Sequence, residues 1–404
     1  RHKIIKWNFT HALPNSNDGK SLLGFGKQSS LILDENKKLE SIDEFISDNS
    51  NNFIFTAISF DLKNRFENLK SNNKDDIQFP EAIFFTTKYV VELDNGKIKF
   101  IQGEKNAESI SFINDFLRSE HEEDDTYNFN FHSTTSKNEY LEHLSSLKKH
   151  ISIGDIYEVN YCQEFIAKNV EIENKFQLYW KLNKITKAPY STFLNFNNHS
   201  LYCGSPELYL SKRENKLTSK PIKGTSKRGG NKQQDEELKK KLKNDPKEKA
   251  ENIMVVDLAR NDLSRIALKN SIRVEELCEI YSFETVHQMI STISCSIDKS
   301  TSFTNILEAT FPMASMTGVP KISALELIEK YEDFKRGIYS GTIGLIHPNG
   351  DFDLNVVIRS LVYNKKNKTL SCGVGGAITD LSTPEQEYEE CIVKVKRILD
   401  GVNE

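Results

Sequence analysis

Apolar and polar residues alternate in short runs through the first 120 residues, broken by Asn, Asp and Gly. A period of two predicts β-strands, and Phe53–Phe60, Ala82–Leu93 and Lys97–Gln102 carry it most clearly. Glu120–Thr135 is acidic and polar and reads as a surface connection. Beyond it the period lengthens. Ser136-Lys137-Asn138-Glu139 has the form of a capping box, ahead of Leu141, Leu144, Leu147 and Ile151 at helical spacing. Gly154 is expected to end that helix, and Ile156–Ile166 to follow as a strand. From there strands and helices mix to the end of the chain, with no internal repeat. The Lys-rich stretch Asn231–Lys249 reads as a solvated helix face.

Three later helices carry chemically interesting residues. One starts with Asp245 as N-cap and Pro246 at the first helical position, which sets Glu248 and Glu251 three apart on one face. A second starts near Pro320, after the small-residue loop Ala314–Val319, whose free N–H groups would suit an anion. The third runs from about Pro384 to Asp400, with Thr383 as N-cap and Gly401 as terminator. Its apolar stripe is Tyr388, Cys391, Ile392, Val395, Ile398 and Leu399, and Glu387, Glu390 and Lys394 lie along one edge of it. Two acidic pairs on two helices could hold Mg²⁺. By pattern alone, surface charges that stabilise their helices are the more ordinary reading.

Composition narrows the class. The 404 residues suit two or three average domains or one large α/β domain. A net charge of −4 excludes a protein that binds nucleic acid through overall basicity. No run approaches ~18 consecutive apolar residues, so no transmembrane helix is expected. Residues 1–20 lack the basic start and apolar stretch of a secretory signal. The six cysteines are scattered without a C-x-x-C pair, as expected in a reducing, cytoplasmic setting. The histidines show no zinc spacing, so any metal is expected to be a hard cation held by carboxylates.

Several segments taken together resemble the chorismate-utilising enzymes. They are Ser205-Pro206-Glu207, Pro221-Ile222-Lys223-Gly224-Thr225, Ala250–Asp262, Thr285-Val286-His287, Ser315–Lys321, Ile358-Arg359-Ser360, Gly375-Gly376 and Glu387-Tyr388-Glu389-Glu390. Any one is weak, but all stand in family order between residues 150 and 400. The resemblance implies an α/β, α+β-like fold of two layered, antiparallel-rich sheets with outer helices and a central cleft. It implies one chorismate-binding domain over 1–404, with a divergent part over 1–135 and the family core over 136–404.

The resemblance also assigns roles. Glu207 matches the general acid that protonates the departing C4 hydroxyl, which needs a raised carboxyl pKa. Glu251 and Glu390 match direct Mg²⁺ ligands, with Glu248 and Glu387 around them. Arg359 and Tyr339 match contacts to the enolpyruvyl carboxylate, where a guanidinium can bind in bidentate fashion. Lys394 and the backbone of Gly375 and Gly376 match contacts near the other carboxylate. His287, Thr225, Thr317 and Ser315 match polar residues lining the pocket, with a core histidine whose polar tip is bonded as the alternative reading of His287.

Position 223 discriminates within the family. Anthranilate synthases typically carry Ala in this motif, whereas many aminodeoxychorismate synthases carry Lys. An amine there can act as a nucleophile if a low-dielectric pocket keeps it neutral. The resemblance thus implies attack by Lys223 at C2 of chorismate, followed by ammonia at C4, yielding 4-amino-4-deoxychorismate on the way to p-aminobenzoate and folate. Position 158 is Glu, where isochorismate and salicylate synthases have a water-activating Lys and the aminating branches commonly have Gln. That argues against the water-using branch and leaves the role of Glu158 open. Ammonia is expected from a glutaminase partner subunit or from solution. The alternatives are amination at C2, as in anthranilate synthase component I, and an inactive binding subunit.

Overall fold

The structure, a computed structural model, describes residues 4–8, 20–94, 97–120 and 127–404. Among these residues are nineteen strands and ten α-helices, and every ladder between the strands is antiparallel. One arm of the ladder runs from Glu158–Ala167 through Thr369–Ile378, Ser360–Asn364, His199–Ser205 and Tyr190–Phe196 to Ile4–Asn8. The long strands Lys20–Leu33 and Ala82–Asp94 turn the corner. The other arm continues through Ile54–Ile58, Thr342–Ile346, Phe352–Val356, Leu208–Arg213 and Lys216–Lys220 to Val286–Ser296.

The arms fold onto each other because each has an apolar inner face. Phe55, Ile83, Phe85, Ile343 and Leu345 of one arm are buried with Leu194, Phe196, Leu201, Cys203 and Val362 of the other. Helices then cover the outer faces. Lys137–Ser152, Lys175–Thr186 and Pro384–Asn403 pack on the first arm, and Pro246–Ser264 and Phe303–Thr310 on the second. This is the layered arrangement that the resemblance implies. No helix among the described residues is long and apolar enough to cross a membrane.

Local signals act where they were expected. Ser136 Oγ accepts from Glu139 N while Glu139 Oε2 accepts from Ser136 N, and Gly154 follows the helix at φ +86°. Asp245 Oδ1 accepts from the N–H groups of Lys247 and Glu248. The Lys-rich helix Lys232–Asn244 buries only Leu242.

Other expectations need correction. Glu40–Asp48 and Ala107–Arg118 are helices inside the stretch that reads as β. Asn106 and Ser109 form a capping box for the second, which buries Ile113 and Phe116. The strand expected from Ile156 begins at Glu158. Gly401 does not end its helix, which continues to Asn403. A Cβ there would lie 2.8 Å from Ile185 Cδ1, so this glycine permits close packing against the Lys175–Thr186 helix. Part of Glu120–Thr135, residues 121–126, lies outside the described residues. Within the remainder Asn128, Asn130 and His132 are exposed while Phe129 and Thr135 are buried, so that part runs along the surface and is anchored to the core by single side chains.

Candidate active site

The floor of the site is built from strands. Lys223 sits on Ile222–Lys227, where the pairing with Val286–Ser296 slips between Ile222 and Thr225 and Gly224 takes φ +88°. The Lys223 ammonium donates to Glu158 Oε1 at 3.0 Å, and the two side chains are 10% and 3% exposed. Glu158 stands at the start of the Glu158–Ala167 strand, and its second oxygen, Oε2, is buried without a hydrogen-bond partner. Burial alone would lower the Lys223 pKa. The charges of Glu158, Glu251 and Glu207 and the bond to Glu158 outweigh it and hold the amine above its ordinary value. The surrounding carboxylates thus favour the charged amine over the neutral form that nucleophilic attack requires.

Glu207 lies in the turn between His199–Ser205 and Leu208–Arg213 and is 4% exposed. Burial pushes its carboxyl up to about 7, against the pull of the Ser315 hydroxyl, the Lys223 and Arg359 charges and the Ile222 backbone. Ser315 Oγ is close enough to favour the charged form but makes no well-aligned hydrogen bond. Arg359 has φ +52°, a left-handed conformation uncommon outside glycine, and its guanidinium has no hydrogen-bond partner among the described residues. Burial and the nearby charge of Arg397 lower its pKa, and the charge of Glu207 opposes them.

The rim is built from helices. Glu248 and Glu251 project from Pro246–Ser264, and Glu387 and Glu390 from Pro384–Asn403. Glu251 and Glu387 are buried, whereas the Glu390 side chain is 54% exposed. Lys247 bridges the helices, 3.2 Å from Glu387 Oε1 and 3.8 Å from Glu251 Oε1. Lys394 pairs with Glu390 at 2.8 Å and donates to Gly375 O at 3.4 Å. Among the described residues no three acidic, His or Cys side chains form a ready-made metal cage. The donor set nevertheless fits a hard cation. Glu251 Oε1 is buried without a hydrogen bond, burial raises its carboxyl to about 7, and the charges of Glu248 and Glu158 add to that rise. Glu248 is raised by burial and by the charges of Asp245 and Glu390. Burial would also raise Glu390, but Lys394, Lys247 and Lys223 hold it below its usual range.

The remaining residues divide. Gly375 and Gly376 pair with Cys162 and Tyr161, and a Cβ on Gly375 would lie 2.4 Å from Cys162 Sγ. A Cβ on Gly376 would lie 3.6 Å from Glu387 Oε2, so the glycine backbone adjoins the rim. Tyr339 is buried with its hydroxyl on Cys162 Sγ at 3.7 Å. Thr225 is exposed, two residues beyond Lys223. Thr317 is fully buried, and its hydroxyl donates to Ala314 O at 3.2 Å. His287 is fully buried and both ring nitrogens are engaged, by Ser282 Oγ at 2.8 Å and Asp235 Oδ1 at 3.0 Å. These bonds give it the environment of a satisfied core histidine.

The loop before Pro320 is less open than an anion cradle. Met316 and Thr317 donate their N–H groups within the loop, and Gly318-Val319 pair with Val159 and Glu158. Arg336, unmarked by any sequence signal, ties this loop to the floor through Met316 O at 2.8 Å and Asn160 O at 2.7 Å. Lys321 fixes the loop to the rim helix through Asp262 at 2.7 Å. The Lys247 bridge and the Lys223–Glu158 contact also escaped the sequence reading. The Glu at position 158 was the only signal for the latter.

A family profile described as chorismate binding enzyme matches residues 10–400. The chain belongs to that family. Among curated chorismate binding enzymes, the chloroplastic aminodeoxychorismate synthase of Arabidopsis thaliana is 37% identical over 356 residues, covering 82% of this chain and 38% of its own length. Aminodeoxychorismate synthase component 1 of Escherichia coli K12 is 32% identical over 349 residues, covering 84% of this chain and 74% of its own. Anthranilate synthase component 1 of Aquifex aeolicus is 31% identical, covering 85% and 73%. The chain thus spans about two fifths of the plant relative. Among solved structures, anthranilate synthase component I from Streptococcus pneumoniae TIGR4 shares the fold, with a TM-score of 0.77 over 98% of this chain and 92% of that one at 24% identity.

Proposed function

We propose that this chain aminates chorismate at C4 to give 4-amino-4-deoxychorismate, with Lys223 as nucleophile and Glu207 as acid. The observation that carries the reading is the largely enclosed amine of Lys223, its side chain 10% exposed, near enough to the carboxyl of Glu207 for their charges to interact. In this reading Lys223 Nζ bonds to C2 while the C4–O bond breaks, and Glu207 protonates the departing oxygen to release water. Ammonia then bonds to C4 and the lysine leaves C2 as an amine. The unpartnered guanidinium of Arg359 would take a substrate carboxylate. Mg²⁺, held by Glu251 and Glu390 with Glu248 and Glu387 around it, would neutralise the ring carboxylate.

Ammonia would come from solution or from a glutaminase partner. All six cysteines are buried, and burial pushes their thiols up, the opposite of an activated glutaminase nucleophile. In this reading the chain would act in the cytoplasm, where the pathway to folate would draw on the product.

Incubation with chorismate, Mg²⁺ and ammonium salt, followed by mass-resolved chromatography, tests the reading. An aminated product that keeps its pyruvyl group is expected. Anthranilate with free pyruvate would move the chain to the C2-aminating branch, and chorismate binding without turnover would make it a binding subunit.

A further inference from the structure

The Lys223–Glu158 pair poses a chemical difficulty that the C4-amination reading leaves open. A charged ammonium has no electron pair for C2, and the pocket favours the charge. Four carboxylates among the described residues interact with this amine, Glu158 from the Glu158–Ala167 strand, Glu207 from the turn after His199–Ser205, Glu251 from the Pro246–Ser264 helix and Glu390 from the Pro384–Asn403 helix. Only Glu158 is in hydrogen-bond contact with Nζ, at 3.0 Å. Its free oxygen Oε2 is sealed from solvent without a donor, so one oxygen holds the amine and the other remains open. Glu207 is committed elsewhere, since its proton is needed by the departing C4 oxygen.

We infer that Glu158 is the base that takes a proton from the Lys223 ammonium and returns it at the end of each turnover. This role rests on the C4-amination reading. The Nζ–H bond breaks, its proton passes to Glu158, and the freed electron pair forms the Nζ–C2 bond. Electrons of the ring double bonds shift toward C4, the C4–O bond breaks, and Glu207 supplies the proton that turns the leaving oxygen into water. When ammonia bonds to C4 the double bonds shift back. The C2–Nζ electron pair departs with a neutral lysine, which recovers its proton from Glu158. The new ammonium at C4 returns a proton to Glu207. The sum is chorismate plus ammonia giving aminated product plus water, with every enzyme group restored. A glutamate suits this position better than the neutral glutamine common in aminating relatives, because only a carboxylate can accept the proton.

The test compares the full chain with Glu158→Gln and Glu158→Asp, using chorismate, Mg²⁺ and ammonium from pH 6 to 9. For Glu158→Gln, a fall in kcat of about a hundredfold at neutral pH is expected, with the rate climbing from pH 6 toward 7 because solvent must remove the lysine proton, and levelling above about 7 as Glu207 loses the proton it donates. The melting shift that chorismate induces should stay that of the parent chain, and mass spectrometry should find less adduct on Lys223. Glu158→Asp should recover part of the rate. Parental kcat and parental pH dependence in Glu158→Gln would overturn the base role. The unaltered chain offers a check that needs no variant. Its kcat should be level below about pH 7, since the proton moves internally. A tenfold rise per pH unit below about pH 7 would overturn the proposal even if Glu158→Gln fails to fold. Absence of C4-aminated product from the unaltered chain would instead sink the amination reading, and the base role with it.

Discussion

The strand-borne floor and the helix-borne rim both gather carboxylates, yet they treat them differently. On the floor, Glu207 is 4% exposed and its carboxyl sits near 7 because burial dominates. On the rim, the Glu390 side chain is 54% exposed and neighbouring lysines hold its carboxyl low. On the floor, burial dominates the protonation of Glu207, whereas the carboxylates around Lys223 outweigh burial there. At the rim, Glu390 reaches into water and lysine counter-charges decide, while burial still raises Glu248 and Glu251. A dry carboxyl suits proton transfer, and a wet, ionised one suits a cation. Glu251 belongs to both regions, on a rim helix but buried and felt by Lys223.

The largest expected effect tests the floor. Lys223→Ala should lower the rate of C4 amination by about a hundredfold or more and abolish any trapped lysine adduct. Unchanged turnover without adduct would remove the nucleophile. Glu207→Gln should cost about a hundredfold in kcat, since general acid catalysis contributes on that scale. In the unaltered chain the working form of Glu207 is protonated, so kcat should decline as pH rises through about 7. A rate rising steadily from pH 6 to 9 would reverse the comparison.

Glu251→Gln tests the rim. Mg²⁺ dependence of activity should weaken roughly tenfold or more, the scale on which losing support at a metal site is felt. Its stability effect has the opposite sign. A carboxyl raised in the folded state binds more protons there than in the unfolded chain, so it disfavours folding as pH rises from its unfolded value toward about 7. At pH 8 without Mg²⁺, the Gln variant should therefore melt above the parent, and added Mg²⁺ should close the gap. A lower melting temperature under those conditions would put Glu251 in a stabilising ion pair instead.

Gly375→Ala should destabilise by about 1–3 kcal/mol, as over-packing does, because its Cβ would meet Cys162 Sγ at 2.4 Å and Tyr161 O at 2.6 Å. Thermal unfolding reads this directly, and Cys162→Ala should relieve only part of it because the backbone oxygen remains. The smallest effects separate the two rim helices. Asp245→Ala should cost about 1 kcal/mol, the usual worth of a formed cap. Thr383→Ala should stay within about 0.5 kcal/mol, since Thr383 makes no side-chain cap bond.

Much of the framework was legible because its signals are local. The Ser136 and Asp245 caps and the strands at Ala82–Asp94 and Lys97–Gln102 depend on neighbours a few residues away. The motif order gave the family, and with it the list of site residues. The helix Ala107–Arg118 was missed because its Asn106–Ser109 capping box went unread inside a stretch of strand-like alternation.

From the sequence alone came which residue types this protein carries and where its main helices and strands begin. Whether those residues meet was decided by the tertiary structure. Glu158 and Lys223 are 65 positions apart, and they touch because the two strands that carry them converge on one buried floor. Folding also engaged both His287 nitrogens with Ser282 and Asp235, placed Gly401 inside a helix against Ile185, and set Lys247 between two rim carboxylates. The protonation of Lys223 has the same origin. Periodicity and capping act over a few residues, whereas desolvation and Coulomb forces act through space and exist only once the arms of the ladder have closed.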